Sequence, residues 1–164
     1  MPIQPTPNGT YGTKMPGGKW LQRLFEPLAN RQIAAYRRSG GTNRLSSMMG
    51  FPVVLLTTKG ARSGLDRTAS LGGFADGDGA WLIVASNGGS ARHPSWFTNM
   101  FQHPDELWLE VGSRKMKVRG ESLAGPTRAE ALFRIAAISA RYGHYQEKTD
   151  REIPIVRLTQ ISES

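Results

Sequence analysis

Apolar and polar positions along the chain predict a mainly β domain with inserted helices. Pro52–Thr58 and Ala80–Ala85 are apolar runs rich in β-branched residues, which indicates buried strands. Between them, Arg67–Ala75 has an extended pattern and leads into the turn sequence Asp76–Gly79. Because aspartate and glycine favour tight turns, these strands are expected to form an antiparallel hairpin.

More strands are predicted in the second half of the chain. Glu106–Val111 and Arg114–Glu121 flank Gly112–Ser113 and form a second hairpin, and Ile153–Leu158 is a last strand. The first three strands follow one another without a crossover helix, which argues against a parallel doubly wound sheet. About five or six antiparallel strands with inserted helices predict an α+β fold built on a small Greek-key barrel.

The segment 20–38 is expected to form an amphipathic basic helix. Its apolar positions are Trp20, Leu21, Leu24, Phe25 and Leu28. Pro27 is expected to kink or divide this helix. We interpret it as a helix packed over the end of the barrel. The alternative is a peripheral membrane contact through residues 20–36, because tryptophan, phenylalanine and leucine opposite arginine are typical of interfacial helices.

Two more helices are predicted farther along the chain. Pro94–Phe101 is expected to form a short helix. Thr127 and Glu130 have the spacing of a capping box for a longer helix over Arg128–Arg141. The apolar face of the longer helix consists of Leu132, Phe133, Ile135, Ala136 and Ile138.

The length of 164 residues is enough for one domain with its own core. Residues 1–19 are polar and rich in proline, glycine and threonine, so we expect a flexible tail ahead of the helix. Residues 39–164 then form the barrel domain. Because the sequence has no apolar run long enough to span a membrane and no secretory signal pattern, a cytoplasmic location is expected.

The net charge of +8 predicts attraction to anionic partners. The absence of cysteine excludes disulfides, thiolate metal sites and a cysteine nucleophile. His93, His103 and His144 lack the spacing of metal ligands, so no metal site is expected. No nucleic-acid partner is expected either, because aromatic residues are not interleaved with basic residues on the predicted strands.

Two loops contain the candidate binding residues. Thr57–Gly64 combines glycines and hydroxyls with Lys59 and Arg62, and Arg67 follows it. Such a loop suits phosphate or carboxylate oxygens; the alternative is a turn whose cations lie in solvent. Ser86–Gly89 follows the paired strand, so both loops are expected at the same rim of the barrel. Together they predict a binding site for a flat, anionic ligand.

Trp96, two residues after Pro94, either walls this site or packs in the core. The sequence motifs of serine hydrolases, zinc proteases, P-loop proteins and Rossmann proteins are absent. The chain is therefore either a binding module or the host of a cofactor that supplies its own reactivity.

Four sequence motifs, taken in order, resemble the deazaflavin-dependent nitroreductase family, whose members use coenzyme F420. They are VVLLTTKGARSGLDR, VASNGG, HPSWFTN and TDREIPIVRLT, and the resemblance covers Arg31 to Gln160. It implies a split, FMN-binding-like antiparallel β-barrel of the flavin-reductase type. The deazaflavin would lie in a groove, with its phosphate and oligoglutamate tail over basic residues. FMN is the alternative cofactor.

The resemblance also implies a set of site residues. The cofactor would contact Leu55, Leu56, Thr57, Lys59, Arg62, Ser63, Gly64, Arg67, Val84, Ala85, Ser86, Asn87 and Trp96. Leu55–Thr57 would use backbone groups, Arg62–Arg67 would hold the tail, and Val84–Asn87 would lie along the ring. Tyr142 matches a tyrosine near the substrate pocket and is the candidate catalytic residue.

Three positions depart from the family pattern. Ala61 and Asn87 stand where many members have a cation, and Gly72 is expected to leave open space where some members place a ring. These departures predict a weaker grip on the cofactor or a wider pocket.

The resemblance implies an oxidoreductase that transfers a hydride from reduced F420 to an electron-poor acceptor such as a quinone, an enone or a nitroaromatic compound. The alternative is a protein that binds or carries F420 without turnover. The chain is expected to be a monomer or a homodimer.

Overall fold

The computed structural model describes residues 2–14, 19–44 and 50–162. The strands are β1 Val53–Lys59, β2 Asp66–Gly72, β3 Phe74–Ala75, β4 Trp81–Val84, β5 Trp108–Val111, β6 Arg114–Ser122 and β7 Ile155–Gln160. The helices are α1 Lys19–Ser39, α2 Ser95–Gln102, α3 Gly125–Ile138 and α4 Arg141–Glu147, and a 3₁₀ turn spans Asn87–Gly89.

The described strands form one curled sheet in the order β2-β1-β5-β6-β7-β4-β3, with antiparallel pairing throughout. Its end strands, β2 and β3, do not pair with each other, so the barrel stays split. The prediction of a mainly β, split antiparallel barrel with inserted helices is confirmed. Side chains such as Leu56, Phe97, Met100, Leu109 and Val156 fill the interior.

The second half of α1 packs on the sheet, and the first half does not. Tyr36 is buried, and its hydroxyl donates to the Val53 carbonyl at 2.8 Å and accepts from the Gly112 amide at 2.9 Å. Arg37 makes two hydrogen bonds to the buried Glu110 carboxylate, at 2.9 and 2.8 Å. The helix is not divided at Pro27, because on this exposed surface water can satisfy the one carbonyl left unpaired.

The apolar residues at the start of α1 lie in solvent. Trp20, Leu24, Phe25 and Leu28 are 69%, 64%, 56% and 63% exposed. The expectation of a helix packed over the barrel therefore holds only from Gln32 onward.

The predicted capping box of the long helix is wrong. The helix begins at Gly125, with Pro126 in its first turn and Ala124 as the N-cap, so Thr127 already lies inside it. Proline is favoured in a first turn, where its missing N–H has no acceptor to lose. The helix also ends earlier than predicted, at Ile138, because Ser139 is extended.

Much of the predicted apolar face of α3 is not a packing face. Phe133 and Ile138 are 78% and 57% exposed, whereas Ile135 packs with Ala131 against the outside of the sheet.

Residues 2–14 do not extend from the domain as the predicted tail would. Ile3 is buried in the interior core, and the Thr10 hydroxyl and amide donate to the Asp150 carboxylate at 2.6 and 2.8 Å. The amides of Gly9 and Thr13 donate to the carbonyls of Ala91 and Gly89. The sequence pattern missed this packing because isolated backbone hydrogen bonds leave no apolar periodicity.

His93 joins this N-terminal segment to the body of the domain. Its Nδ1 accepts from the Arg151 guanidinium at 2.8 Å, so the ring proton lies on Nε2, which donates to the Thr6 carbonyl at 2.8 Å. This arrangement requires a neutral ring. Burial, and to a lesser extent the Arg151 charge, lowers the pKa of His93 below its ordinary value of 6.5.

We expect the stability of the protein to fall as the pH drops below about 6.5, because the unfolded chain then binds a proton that folded His93 resists. His93→Gln keeps one acceptor and one donor but does not titrate. Thermal unfolding of both proteins across this range is the measurement, with each kcal/mol worth about 2–4 °C in a protein of this size. Identical acid sensitivity in the two proteins would show that His93 does not carry the effect.

Candidate functional site

A cavity of about 320 Å³ lies in the gap between β2 and the end of β4. It is lined by Gln32, Phe51, Val53, Ser70, Leu71, Gly72, Val84, Ser86, Gly88, Arg141, Tyr142 and Tyr145. Its volume is within the range of small-molecule sites. Small side chains on β2 and on the 86–88 segment form two of its walls, and aromatic rings close another.

Tyr142 is held in a cluster of rings. Its ring meets Phe51, Phe74 and Tyr145 edge to face, at centroid distances of 5.7, 5.3 and 5.8 Å. Among the described residues, its hydroxyl has no hydrogen-bond partner, and it lines the cavity. Burial raises the pKa of Tyr142 to about 12. At neutral pH it is therefore a proton-bearing hydrogen-bond donor, not a base.

The expectation of open space at Gly72 is wrong. A Cβ placed there would lie 2.4 Å from the Tyr142 hydroxyl oxygen and 2.8 Å from the Phe51 ring. Glycine is what allows Tyr142 to reach the edge of β2. Where some members are expected to place a ring at this position, Tyr142 of α4 and Phe51, just before β1, occupy the space here.

Arg141 lies at the mouth of the cavity. Its guanidinium carbon is 5.4 Å from the centroid of the Phe51 ring, within cation–π range. Within the part of the chain that the structure describes, it has no carboxylate partner. The cavity therefore combines an aromatic wall with a cation and hydroxyl groups at its rim.

A second depression, the basic groove, has a volume of about 420 Å³ and lies at the other end of β2. It is lined by Gly60, Ala61, Arg62, Ser63, Arg67, Ser95, Thr98 and Asn99. Arg62 and Arg67 are exposed. The groove therefore offers two guanidinium groups and several hydroxyls to an anion.

Asn99 fixes the loop that forms the groove. It is 6% exposed; its side-chain oxygen accepts from the Ala61 amide at 2.9 Å, and its nitrogen donates to the Thr58 hydroxyl at 3.0 Å. The Gly60 amide donates to the Leu65 carbonyl, and Gly64 has a φ of +66°, which favours glycine. The loop is thus closed on itself and tied to α2.

The cavity and the basic groove have the same two walls. β2 contributes Ser70 and Gly72 to the cavity and Arg67 to the groove, while the segment 84–99 forms the opposite wall of both. β1 and β4 point in the same direction in the sheet, so their loops leave at the same end as predicted. The two loops nevertheless line different depressions.

The structure places six of the predicted site residues at these depressions: Val84, Ser86 and Tyr142 at the cavity, and Arg62, Ser63 and Arg67 at the groove. The others lie elsewhere. Leu55, Leu56 and Ala85 are completely buried, and β1 pairs on both sides over Leu55–Thr57, which engages the backbone groups that were expected to face the cofactor.

The remaining predicted residues have structural partners. Thr57 pairs with the Thr68 hydroxyl at 2.9 Å, and Lys59 forms an ion pair with Asp66 at 2.7 Å. The Asn87 side chain donates to the Arg92 carbonyl at 3.0 Å. Trp96 is 7% exposed and packs in the interior core, lining neither depression.

Several lining residues were missed by sequence reasoning. They are Gln32, Phe51, Ser70 and Arg141 at the cavity, and Ser95, Thr98 and Asn99 at the groove. For Ser70 the signal was present, since a serine inside an apolar strand pattern marks a face that is not core. Arg141 has no comparable signal, because only the break between α3 and α4 brings it to the cavity.

The described residues contain no helix of the length and apolar character that crossing a membrane requires. Nor do they bring together a group of histidines and carboxylates that could hold a metal ion.

The family model and the similar proteins point to the same family. A model of the F420H(2)-dependent quinone reductase family matches residues 28–160. The F420H(2)-dependent quinone reductase Rv1261c of Mycobacterium tuberculosis H37Rv is 36% identical over 146 residues, which cover 87% of this chain and 97% of that protein.

Solved structures agree with this result. The chain is similar to an F420-H2 dependent reductase, FDR-A, with a TM-score of 0.60 and 33% identity, over 66% of this chain and 94% of that one. It is also similar to a structure described as a domain-swapped dimer, with a TM-score of 0.63 and 28% identity, over 86% and 98% of the two chains. The resemblance to F420-dependent reductases seen in the sequence is confirmed. The chain belongs to the F420H(2)-dependent quinone reductase family and is an F420-dependent oxidoreductase.

Proposed function

We propose that this protein transfers a hydride from reduced F420 to a quinone, with the deazaflavin ring and the quinone in the cavity and the cofactor tail in the basic groove. The observation that carries this assignment is the pair of shared walls. An elongated ligand can lie along the free edge of β2 with one end in each depression.

The residues present fit the cofactor. Arg67 and Gly72 are separated by five positions on β2, or roughly 17 Å of extended strand, which suits a ring joined through a chain to a phosphate and carboxylates. Ser70, Ser86 and Gly88 are small enough to let a flat ring approach the backbone. Arg62 and Arg67 match the anionic tail.

When bound, F420 supplies the two-electron hydride chemistry, and the protein supplies geometry and proton control. Tyr142 carries its proton at neutral pH and faces the cavity, so it donates a hydrogen bond to an oxygen of the acceptor. Arg141 at the mouth attracts the negative charge that this oxygen gains. The aromatic side chains of Phe51, Tyr142 and Tyr145 cover one side of the bound acceptor.

The direct test is to mix the purified protein with reduced F420 and follow its reoxidation while the menadione concentration is varied. We expect reoxidation that saturates with both ligands. Tight F420 binding without acceptor-dependent reoxidation would instead identify a carrier. Absence of saturable F420 binding at low salt would contradict the proposal.

Replacing Arg62 or Arg67 by alanine is expected to weaken F420 binding without abolishing it. Exposed charge pairs are worth about 0.2–1 kcal/mol, so each variant should raise Kd by about 1.4- to five-fold. Fluorescence titration at about 50 mM and about 500 mM salt checks this, because screening should shrink the difference. The exposed Arg119→Ala on β6 is the matched control. Equal losses in all three variants would point to a general charge effect.

Tyr142→Phe is expected to lower kcat by about three- to ten-fold, the value of one hydrogen bond, with little change in KM. Since the pKa of Tyr142 is about 12, the ratio of wild-type to variant kcat should stay constant up to about pH 10. Tyr11→Phe, on an exposed ring, is the control. A ratio that changes steeply near neutral pH would mean that Tyr142 does not act as a fixed donor.

We further propose that the exposed start of α1 contacts a lipid surface, which would suit a lipid-soluble quinone. Trp20, Leu24, Phe25 and Leu28 are more than half exposed, and Arg23 and Arg31 on the same helix are exposed cations. Helices that bind the surface of anionic membranes combine apolar side chains with arginines in this way. The alternative occupant is a second copy of this chain, as a homodimer.

Changing Leu24 and Leu28 together to serine is expected to reduce sedimentation with anionic vesicles by at least about ten-fold, since both side chains would be inserted. The fold should be unaffected because both residues are exposed. Phe133→Ser, equally exposed on α3, is the matched control. Unchanged vesicle binding together with a shift from dimer to monomer would assign the surface to a second copy.

A further inference from the structure

Arg151 is a buried cation beneath the cavity. It lies between α4 and β7 and is 2% exposed. Within the described ranges no carboxylate comes within ion-pair distance of its guanidinium, and burial alone lowers its pKa. An arginine nevertheless keeps its charge in a protein. Arg128 is a partly buried arginine that differs in having a carboxylate, that of Glu152, at 3.7 Å.

The hydrogen bonds of the Arg151 guanidinium all go to one segment, residues 85–93. It donates to the carbonyls of Ala85 at 3.0 Å, Ser86 at 2.9 Å and Ser90 at 3.1 Å, and to Nδ1 of His93 at 2.8 Å. This segment is one wall of the cavity. Arg151 therefore determines which way its peptide groups face.

The carbonyl oxygens of Ala85 and Ser86 accept from Arg151. The Ser86 amide shares a peptide group with the Ala85 carbonyl and so points the opposite way; it has no acceptor among the described residues, and Ser86 lines the cavity. Carbonyl dipoles solvate the guanidinium but do not cancel its net charge. Because Arg151 is buried, its charge is screened less than a charge in bulk water would be.

We propose that Arg151 is a positioning residue that makes the cavity favour negative charge on an oxygen of the bound acceptor. It does so through its own unneutralised charge and by fixing the peptide group whose free Ser86 amide can donate to the ligand. The inference rests on the proposed function. Overall, reduction of the quinone to the quinol would take up one hydride and one proton, which reduced F420 would supply as it is oxidised. After the hydride and before the proton, the acceptor carries one negative charge on oxygen.

Arg141 also faces the cavity, and the salt dependence of anion binding distinguishes its effect from that of Arg151. Arg141 is exposed, so its attraction for an anion should be largely screened at high ionic strength. Arg151 is buried, and buried charges are screened much less. An anion preference caused by Arg151 therefore survives in high salt.

The test compares the binding of two naphthoquinones by calorimetry. Lawsone is an anion at neutral pH, whereas menadione is neutral and has the same ring system. We expect the wild type to prefer lawsone at both about 50 mM and about 1 M salt. Arg151→Met should reduce the ratio of the two affinities by at least about ten-fold, the effect of one nearby charge.

Arg128→Met is the control, because it also removes a largely covered arginine that donates to main chain, at the Ile153 carbonyl. It should lower stability and leave the affinity ratio unchanged. Arg151→Lys keeps the positive charge but has fewer hydrogen-bond donors, and it should retain most of the ratio of the two affinities. It is the variant to measure if Arg151→Met does not fold, and loss of the ratio in it would contradict the role of the charge.

An unchanged ratio in folded Arg151→Met, an equal loss in Arg128→Met, or a wild-type preference that disappears in high salt would each overturn the role of Arg151. Failure of the wild type to bind either compound would contradict the proposed acceptor site itself and, with it, this inference.

Discussion

The site depends on the single-sided pairing of β2. This strand pairs with β1 along its whole length, while its other edge faces the segment 84–99 without strand pairing. β2 and the segment 84–99 both contribute residues to the cavity and to the basic groove. A fully closed barrel would fill the gap between them with a strand ladder. Because the sheet stays split, a long ligand can lie against a strand edge with its two ends in different electrostatic surroundings.

Much of the opposite wall of the gap is the connection between β4 and α2. This connection depends on contacts with other parts of the chain to keep one conformation. Arg151 holds its carbonyls from below, and residues 2–14 cover it on the outside through Gly9, Thr13 and the His93–Thr6 hydrogen bond. The N-terminal segment is thus part of the support of the site. Neutral His93 connects the two, so protonation of His93 would disturb the same wall.

The strands could be predicted because a strand such as β1 shows in the local sequence as a run of β-branched and apolar residues. The basic loop could be predicted because glycines and arginines are concentrated there. Elements set by tertiary contacts could not be predicted in this way. Gly72 is filled by Tyr142 and Phe51 from distant segments, and Trp96 was assigned to the pocket although its large apolar ring is used in the core. Arg151 lay in a recognised motif, yet its role depends on carbonyls more than sixty positions away.

The most direct measurement is a crystal structure of the protein with F420. We expect the deazaflavin ring between Ser70 of β2 and the 84–88 wall, within reach of Tyr142, and the phosphate and glutamate tail at Arg62 and Arg67. A cofactor whose ring lies outside this gap, or whose tail runs away from the basic groove, would contradict this placement of the site.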